Sequence, residues 1–505
     1  MNKPNEIVNP ESTGLRALRS VNDNVEKGPA DSRPSAGCYA MGSVVPEGRA
    51  ASSRVGFASE YSSNNAWNQN NNGNVNNNNK DNNNTNNRVR SVSALATSLS
   101  GLPTDSLFYQ DADDKIRLQD LFEAYYDCRR NKRKTANALR FELDYEHNLI
   151  ELCNEINEGR YVISRSITFV VSKPVLREVF AADFRDRIVH HYLIARLNPL
   201  FENLFIIDSY SCREGKGTLY GVRRIASFID ECTCHYTKTA YVLKLDIEGF
   251  FMHIDKALLK QRLTSFIEEQ YFGSDKRIVI ALCRLIVDND PTEDCIIKGK
   301  RSDWNNLPAA KSLFHVGSGK GLPIGNLTSQ IFANFYLDPL DKFVTSVLGF
   351  PFYGRYVDDF IIVHNDKEKL KSAVEMIRGF LNDRLLLRLH PRKIYLQPCN
   401  NGVKYIGAVI KPGRTYISNR TKGNCYDSIA RHNAVANDHR PDSDEIAAFQ
   451  ASINSYFGIM SHYNTYHVCK KMKKRFSPYW WNHVQISKGY VQPRKRKLRK
   501  DEIHE

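Results

Sequence analysis

Long apolar segments are absent from this sequence. No uncharged apolar run approaches the roughly 18 residues that a membrane-crossing helix needs, and the first residues, MNKPNEIVNPESTG, contain no apolar core of the signal-peptide kind. The 11 cysteines show no CxxC spacing, and the closest pair, Cys232 and Cys234 before His235, lacks a second pair to complete a zinc site. These absences argue against a membrane protein, a disulfide framework and a zinc domain, so we expect a reduced protein of the cytoplasm.

Acidic residues are the minority charge. Lys and Arg number 71 against 56 Asp and Glu, which gives a net charge of +15 over 505 residues and a pI near 9.2. Such an excess favours a polyanionic partner, most often nucleic acid, although a basic surface without that role is the alternative. A chain of this length, with 41% hydrophobic residues, is expected to fold as two or three domains.

The first 102 residues are poor in periodic apolar residues. They are rich in Asn, Ser and Gly and include the tract NQNNNGNVNNNNKDNNNTNN at 68–87. A segment of this composition cannot bury enough apolar surface to offset the loss of chain entropy on folding. Residues 1–102 are therefore predicted to be a low-complexity, disordered segment.

Periodic patterns begin after that segment. Apolar residues at helical spacings predict helices between about 120 and 156; they are Leu121, Phe122, Tyr125, Leu139, Leu143 and Leu149. RYVISRSITFVVSKP (160–174) is alternating and β-branched, which predicts two short strands. A mixed helix and strand region follows to residue 412. The last part, 413–505, is predicted to be helical and carries two basic clusters, KKMKKRF (470–476) and RKRKLRK (494–500).

Carboxylates stand at the ends of two apolar stretches. In AYVLKLDIEGFF (240–251) an apolar strand leads into Asp246, and in FYGRYVDDFIIV (352–363) two apolar strands flank a turn with Asp358 and Asp359. A lone Asp-Asp pair is more often a solvated turn, but neighbouring strands lie only about 4.8 Å apart. If the two stretches are adjacent, the carboxylates converge on one or two Mg²⁺ ions, which prefer oxygen ligands. Two such ions about 3.5–4 Å apart would stabilise an in-line phosphoryl displacement.

The aspartate stretches resemble motifs of the reverse transcriptases. YVDDF resembles the Y-x-D-D box of that family, and LKLDIEGFF resembles its first-aspartate motif. Other blocks resemble the family in the same order: REVFAADFRDRIVHHYLIARLNPLFENLF (177–205, the first block), IDSYSCREGKGT (207–218, the second block), GLPIGNLTSQIFANFYLDPLD (321–341, the fourth block), LHPRKIYLQP (389–398) and GVKYIGAVI (402–410). The resemblance covers about 120–412. It implies an α+β fold shaped like a right hand, with fingers and a palm of antiparallel sheet plus helices over 103–412, and a helical, basic thumb and C-terminal tail over 413–505.

The resemblance assigns a role to each carboxylate. Asp246 and Asp358 would hold two metal ions, Asp359 corresponds to the third carboxylate of the family, and Ile247 would lend a backbone carbonyl. The implied ions are Mg²⁺, with Mn²⁺ as a substitute. The implied reaction is RNA-directed DNA polymerisation, in which a primer 3′-hydroxyl attacks the α-phosphate of a dNTP and pyrophosphate leaves.

Further positions match residues that handle the nucleotide in this family. Phe251, five residues after the first aspartate, corresponds to the steric gate against a ribose 2′-hydroxyl; a core Phe beside Phe250 is the alternative. Arg213 and Lys216 match the finger residues that clamp the triphosphate. Lys393 matches the lysine proposed to protonate the leaving pyrophosphate, and a salt-bridged surface lysine is the alternative.

The fourth block departs from most of the family. Where most members have Gln followed by Gly, this sequence has Ile324 and Gly325, then Asn326 and, further on, Ser329 and Gln330. IGNLTSQ resembles the reverse transcriptases of diversity-generating retroelements. In that subclass Ile324, Gly325 and Gln330 would line the dNTP pocket, and copying is error-prone at template adenines, which serves mutagenic retrohoming.

Other subclasses remain open. One alternative is a retron-type or other defence-associated reverse transcriptase, although the sequence has no Val-Thr-Gly tripeptide of the retron type. Another is a catalytically inactive RNA-binding scaffold, although all three aspartates are present.

The subclass resemblance also implies partners. They are a template RNA, a primer or cDNA strand, dNTPs and a small basic, oligomeric accessory protein, in a bacterial or phage-encoded system without a membrane. Residues 52–95 resemble the tail of the C-type-lectin-like domains that such elements diversify, and Asn codons begin with two adenines. We hypothesise that residues 1–102 are a translated template repeat; a Gln/Asn-rich disordered linker is the alternative.

Overall fold

The computed structural model describes residues 114–130, 135–172, 175–487 and 489–494. The segment 1–102, predicted to be disordered, lies outside these residues, as does the basic cluster 494–500 except for its first residue. Within the described part, no helix is both long and apolar enough to cross a membrane.

The described chain forms thirteen α-helices. Several begin at an acidic residue: Asp183, Asp366 and Asp442 each accept a hydrogen bond from a backbone N–H of the first turn, which satisfies donors that the helix leaves unpaired. In chain order the helices are α1 (Leu118–Arg129), α2 (Ala136–Glu142), α3 (Tyr145–Asn157), α4 (Phe184–Leu204), α5 (Thr218–Cys232), α6 (Phe250–His253), α7 (Lys256–Gln270), α8 (Lys276–Asp288), α9 (Leu327–Lys342), α10 (Lys367–Leu385), α11 (Asn419–Asp438), α12 (Ser443–Met460) and α13 (Tyr466–Lys473).

The strands of the described chain are short. None is longer than six residues, so each depends on its neighbours in a sheet for stability. In chain order they are β1 (Ser166–Val171), β2 (Arg177–Ala181), β3 (Tyr241–Asp246), β4 (Cys295–Ile297), β5 (Tyr353–Tyr356), β6 (Asp359–His364), β7 (Tyr395–Pro398), β8 (Val403–Tyr405), β9 (Ala408–Lys411), β10 (Arg414–Ile417), β11 (Val484–Ser487) and β12 (Tyr490–Pro493).

A four-stranded sheet carries both aspartate stretches. Its order is β5-β6-β3-β7, and every neighbouring pair is antiparallel. Strand β6 is buried along nearly all its length, which explains why it shows an unbroken apolar run instead of alternation. Helices α5 and α10 contact β6. The predicted hairpin at YVDDF and the predicted adjacency of the two stretches are both confirmed.

Smaller sheets flank this one in sequence. In the order β2-β1-β4, strand β1 is antiparallel to β2 and parallel to β4. Strands β8, β9 and β10 form an antiparallel meander, and β11 pairs with β12. Between β8 and β9, Ile406 and Gly407 have φ angles of 32° and 91°, the conformation that a two-residue hairpin turn requires.

Two hydrophobic clusters form the core. The larger one runs from Ile116 to Ile410 and includes the four-stranded sheet. The smaller one runs from Ile417 to Val491, and at its centre Phe449 stacks on Trp480 with ring centroids 4.1 Å apart. The boundary placed at 412–413 stays a prediction, and it divides the paired strands β9 and β10.

The expected α+β fold of antiparallel sheet and helices is confirmed. Three details differ from the sequence prediction. The described residues 160–172 contain one strand instead of two, Leu139 and Leu143 are 51% and 88% exposed, and the last part contains strands besides its helices. Leu139 lies inside the short helix α2 and Leu143 follows its last residue, so the helical spacing does not continue into α3. The C-terminal strands have four residues each, too few to show alternation.

Candidate active site

The two aspartate stretches meet at one end of the central sheet. Strands β3 and β6 pair with Asp246 opposite Asp359, and Asp358 lies in the turn between β5 and β6. The side chains are buried: Asp246, Asp358 and Asp359 have 3%, 6% and 2% of their surface exposed. A solvated turn, the alternative interpretation of the Asp-Asp pair, does not agree with this burial.

The turn that carries Asp358 is conformationally strained. Val357 has a φ of 56°, in the left-handed region that β-branched residues rarely adopt, which costs on the order of 1–3 kcal/mol. Its N–H donates to Ser211 Oγ at 3.3 Å, and its carbonyl accepts from Arg355 Nη1 at 2.9 Å. The strain therefore lies directly at the aspartates and is held by side chains from outside the turn.

Two lysines contact the carboxylates. Lys393 Nζ donates to Asp246 Oδ1 at 2.8 Å. Lys244 Nζ lies 3.3 Å from Asp359 Oδ1, an ion-pair distance without hydrogen-bond geometry. The loop after α10 brings Lys393 to the site, because His390 N–H donates to the Asp246 carbonyl at 2.9 Å. Lys393 is thus a half-buried ion-pair partner of the first aspartate.

Burial and mutual repulsion disfavour ionisation of the carboxylates. Burial, and then repulsion from Asp359, raise the pKa of Asp246 to about 6, against the opposing hydrogen bond from Lys393. Burial, and then the carboxylates of Asp246 and Asp359, raise the pKa of Asp358 well above its usual range. Crowded carboxylates of this kind gain stability from a bound proton or cation.

The side chains alone do not form a complete metal-binding group. Across the residues that the structure describes, no three His, Cys, Asp or Glu side chains are arranged to hold a metal ion. The roles of Asp246, Asp358 and Asp359 as metal ligands stay a prediction. In the described arrangement, the carboxylates of Asp246 and Asp359 contact Lys393 and Lys244.

The donor chemistry nevertheless fits a divalent cation. Asp358 Oδ1 and Asp359 Oδ1 are buried and make no hydrogen bond, which is unusual for acceptors inside a protein. Carboxylate oxygens are the ligands that Mg²⁺ and Mn²⁺ prefer, and Mg²⁺ usually completes its shell with substrate phosphates and water. Ile247 is buried beside Asp246 and forms an isolated β-bridge with Leu389. The two hydrogen bonds of that bridge join Glu248 to Arg388 and His390 to Asp246, so neither of them uses the Ile247 carbonyl.

The two finger cations are engaged with protein groups. The Arg213 side chain is only 5% exposed and pairs with Glu202 Oε2 at 2.8 Å, and its guanidinium also donates to the Ser209 carbonyl. Lys216 Nζ donates to the Ile207 carbonyl at 2.6 Å; burial, and then the nearby Arg213, lower its pKa to about 8. The nearly buried guanidinium of Arg213 has donors satisfied by protein groups. The triphosphate-binding roles of Arg213 and Lys216 stay predictions.

The fourth block packs against the end of β2. The Ile324 carbonyl accepts from Phe180 N–H at 2.9 Å, and Asn326 Oδ1 accepts from Ala182 N–H at 3.1 Å. Gly325 has a φ of 138°, and a Cβ there would lie 2.6 Å from the Phe180 carbonyl oxygen. Glycine is therefore required at 325 by both conformation and space.

Phe251 and Gln330 lie near the same block. Phe251 is 6% exposed and packs edge-to-face on Phe250, with centroids 5.4 Å apart. Its carbonyl accepts from Leu322 N–H at 2.8 Å, so the backbone links α6 to the fourth block. Gln330 Oε1 lies 3.3 Å from Cys212 Sγ in the second block. The nucleotide-handling roles of these residues stay predictions.

Three charged residues close to the aspartates were missed in the sequence. Lys244 and Arg355 are each the one cationic residue of an otherwise largely apolar strand, in VLKLD and YGRYV. Asp341, the partner of Arg355, closes the fourth block. A charge inside a buried strand requires a partner, and that rule was the available signal.

A comparison with known families identifies the class of domain. Residues 176–410 match the family model described as reverse transcriptase (RNA-dependent DNA polymerase). The matched stretch contains all three aspartates and the central sheet. Residues 176–410 therefore carry a reverse transcriptase domain.

One curated relative and several solved structures are similar to parts of the chain. Protein YkfC of Escherichia coli (strain K12) is 23% identical over 293 residues, which are 51% of this chain and 69% of YkfC. Apo telomerase from Candida tropicalis, truncated from its C-terminal domain, has 15% identity and a TM-score of 0.37 over 54% of this chain and 60% of its own. Telomerase from Candida albicans in complex with a TWJ fragment of telomeric RNA has 11% identity and a TM-score of 0.37 over 64% and 61%. The chain thus spans about three fifths of these telomerase chains.

Proposed function

We propose that this chain is an RNA-directed DNA polymerase that copies an RNA template into cDNA by nucleotidyl transfer. The observation that carries the proposal is the sheet register, which sets Asp246 opposite Asp359 with Asp358 in the adjoining turn, inside the reverse transcriptase domain. Two divalent cations, Mg²⁺ or Mn²⁺ in its place, held by these carboxylates and the Ile247 carbonyl, would neutralise charge on the attacking 3′-hydroxyl and the leaving pyrophosphate.

The chain's own residues would orient the reactants and supply a proton. Lys393, with Nζ 2.8 Å from Asp246 Oδ1, lies beside the reacting centre and would donate its proton to pyrophosphate after releasing that carboxylate. Phe251 would exclude a ribose 2′-hydroxyl by its ring. Lys216 remains mostly cationic at neutral pH with a pKa of about 8 and would contact the triphosphate, while Arg213 would hold the loop around it.

Primer extension with the full 505-residue chain tests this proposal. A DNA primer on a defined RNA template, with Mg²⁺ and dNTPs, should be extended by the wild type. Asp358→Ala should lose activity by about 10³-fold or more, because the charge that stabilises the transferring phosphoryl group is gone. Asp383→Ala, an exposed aspartate on α10, is the matched control and should keep full activity.

Two outcomes would overturn the proposal. Equal extension by wild type and Asp358→Ala would show that the aspartates do not carry the reaction. RNA binding by a wild type that extends no primer would instead favour the inactive scaffold.

We further propose error-prone copying at template adenines, as in diversity-generating retroelements. Contacts of the fourth block support this proposal, because the Ile324 carbonyl accepts a hydrogen bond from Phe180 N–H and Gly325 packs against the Phe180 carbonyl. The half-buried Ile324 side chain therefore takes the place of the glutamine side chain that most reverse transcriptases have at this position. An alkyl side chain cannot form a hydrogen bond with the incoming nucleotide or the template, so selection of the correct base pair should be weaker. Sequenced cDNA should show errors concentrated at template adenines, and Ile324→Gln should reduce them. Errors spread evenly over four bases, or high fidelity, would favour the retron-type or other defence-associated alternative.

The proposed partners are template RNA, a primer or cDNA strand, dNTPs and a small basic accessory protein, in a bacterial or phage cytoplasm. Support for nucleic-acid partners is the excess of basic residues. The origin of residues 1–102, which lie outside the described residues, is testable in DNA. A translated template repeat predicts a near-copy of the 52–95 coding sequence in a neighbouring gene, differing at template adenines, and full activity for a chain starting near 103.

A further inference from the structure

A charged network lies buried beneath the aspartate turn. Arg355 and Asp341 are both 0% exposed and form two parallel hydrogen bonds of 2.6 Å, from Nε to Oδ1 and from Nη2 to Oδ2. Arg355 Nη1 also donates to Asn334 Oδ1 at 3.2 Å, and Nη2 donates to Ser209 Oγ at 3.3 Å. Ser211 Oγ donates to Asn334 Oδ1 at 2.9 Å. We name these five residues the Arg355 network.

The network bonds both polar backbone groups of Val357. The carbonyl accepts from Arg355 Nη1, and the N–H donates to Ser211 Oγ. Val357 lies between β5 and β6, outside the ladder that pairs the two strands. A β-branched residue keeps a φ of 56° only where its surroundings impose it. The network supplies a hydrogen bond to each polar backbone group of this residue, in addition to the packing of its side chain in the core.

Three separate segments meet through the network. Asn334 and Asp341 come from α9, and Ser209 and Ser211 come from the second block. The backbone of Arg355 adds two further bonds to that block: its N–H donates to the Asp208 carbonyl, and its carbonyl accepts from Tyr210 N–H, both at 2.9 Å. The turn is therefore tied to elements that are far apart in the sequence.

Stability alone does not account for this arrangement. Apolar residues of similar volume often replace a buried ion pair without loss, but they cannot donate to the Val357 carbonyl. The guanidinium is a rigid fork, so two nitrogens bind Asp341 while the third reaches the turn. A lysine has one nitrogen and cannot do both.

We infer that Arg355 is a positioning residue that holds the Val357 turn at positive φ and thereby sets Asp358 against Asp246. The inference rests on the polymerase activity proposed above. In this role Arg355 sets the geometry of the carboxylates at the reacting centre, and other residues bind the dNTP.

Arg355→Lys in the full chain tests the inference. The kcat of primer extension should fall by about 100-fold, the loss expected for a displacement of about 1 Å at a catalytic group. The KM for dNTP should stay within about threefold, and half-maximal rate should require more Mg²⁺. Adding Val357→Gly to Arg355→Lys should restore about tenfold of kcat, since glycine adopts positive φ without support.

Arg262→Lys is the matched control. Arg262 Nη1 and Nη2 donate to the Tyr336 and Phe335 carbonyls of α9 at 3.0 and 3.2 Å, so it also holds that helix but does not reach the turn. It should lower Tm and leave kcat unchanged. If Arg355→Lys does not fold, Ser211→Ala removes one hydroxyl and should lower kcat by about fivefold.

The outcomes separate the two proposals. An unchanged kcat in folded Arg355→Lys, a loss that Val357→Gly does not reverse, or an equal kcat loss in Arg262→Lys would overturn the positioning role alone. A wild type that extends no primer would overturn the proposed function and this inference together.

Discussion

Basic residues are used in opposite ways around the central sheet and in the C-terminal residues 417–494. Near the aspartates, the side chains of Arg355, Lys393 and Lys244 are 0%, 13% and 16% exposed, and each contacts a carboxylate. In KKMKKRF, Lys470 and Lys471 are exposed to solvent. A buried cation must be paired and fixes local geometry, whereas an exposed cation is screened and suits mobile contacts with phosphates. The net charge of +15 therefore does not locate the candidate active site.

Histidines show the same contrast. His190 in α4 is buried, and burial lowers its pKa to about 3. His439, at the end of α11, is exposed, and hydrogen bonds with Asp438 and Glu445 raise its pKa. Burial thus disfavours the charged form of His190, and the two carboxylates favour the charged form of His439.

The largest effect is expected at Asp358. Asp358→Asn should reduce primer extension by about 10³-fold or more and yet raise Tm. Burial and the neighbouring carboxylates raise the pKa of Asp358, so folding disfavours its charged form at every pH above the unfolded value, and a neutral amide avoids this cost. Melting curves from pH 4 to pH 8 should show the gain growing with pH. A variant that is both inactive and less stable at pH 8 would contradict this account.

A smaller effect is expected from His190. Because folding lowers the pKa of His190, its contribution to the free energy of unfolding is fully present above about pH 6.5. That contribution is lost as pH falls, because only the unfolded chain takes up the proton. Between pH 7 and pH 5 this loss should be about 2 kcal/mol. His190→Gln should reduce this loss, measured as the free energy of unfolding from denaturant titrations at pH 7 and pH 5. His439→Gln is the control and should not reduce the loss. Because the pKa of His439 is raised, its contribution to stability is present at low pH and is lost as pH rises. An equal loss of unfolding free energy between pH 7 and pH 5 in wild type and His190→Gln would refute the role of His190.

The smallest effect is expected from the exposed lysines. Replacing Lys470, Lys471 and Lys474 by Ala should weaken template binding by about tenfold at moderate salt and reduce the slope of log K against log salt by about 2. The kcat at saturating template should not change. The same triple replacement of Lys367, Lys369 and Lys371 on α10 removes equal charge elsewhere and should leave the slope as in wild type. Equal slopes for both triples would mean that the C-terminal cluster has no special role.

The catalytic candidates were predictable because their signal is local. An apolar run ending in a carboxylate marks Asp246, and an apolar hairpin marks Asp358 and Asp359, so a single pass along the chain finds them. Strand pairing then followed from the expectation of one sheet. The nucleotide-handling roles of Phe251, Ile324 and Gln330 stay predictions, because those roles depend on a bound substrate.

Partners of the charged residues were not predictable. Lys393 and Asp246 are 147 positions apart, and Arg355 reaches Ser209 across 146. Arg213 pairs with Glu202, a contact that the sequence did not indicate. No local pattern indicates which of many carboxylates a given cation will contact, because that choice follows from sheet register and burial.

The sequence by itself determined the strand-forming segments, the carboxylates at their ends and the excess of positive charge, since each depends on the residue and its near neighbours. Only the tertiary structure decided that Val357 adopts positive φ, that Arg355 and Ser211 hold it, and that Lys393 and Lys244 contact the carboxylates. The physical reason is that burial removes water as a partner, so each charged or polar group must find one in the protein. The groups within reach are set by the packing of distant segments.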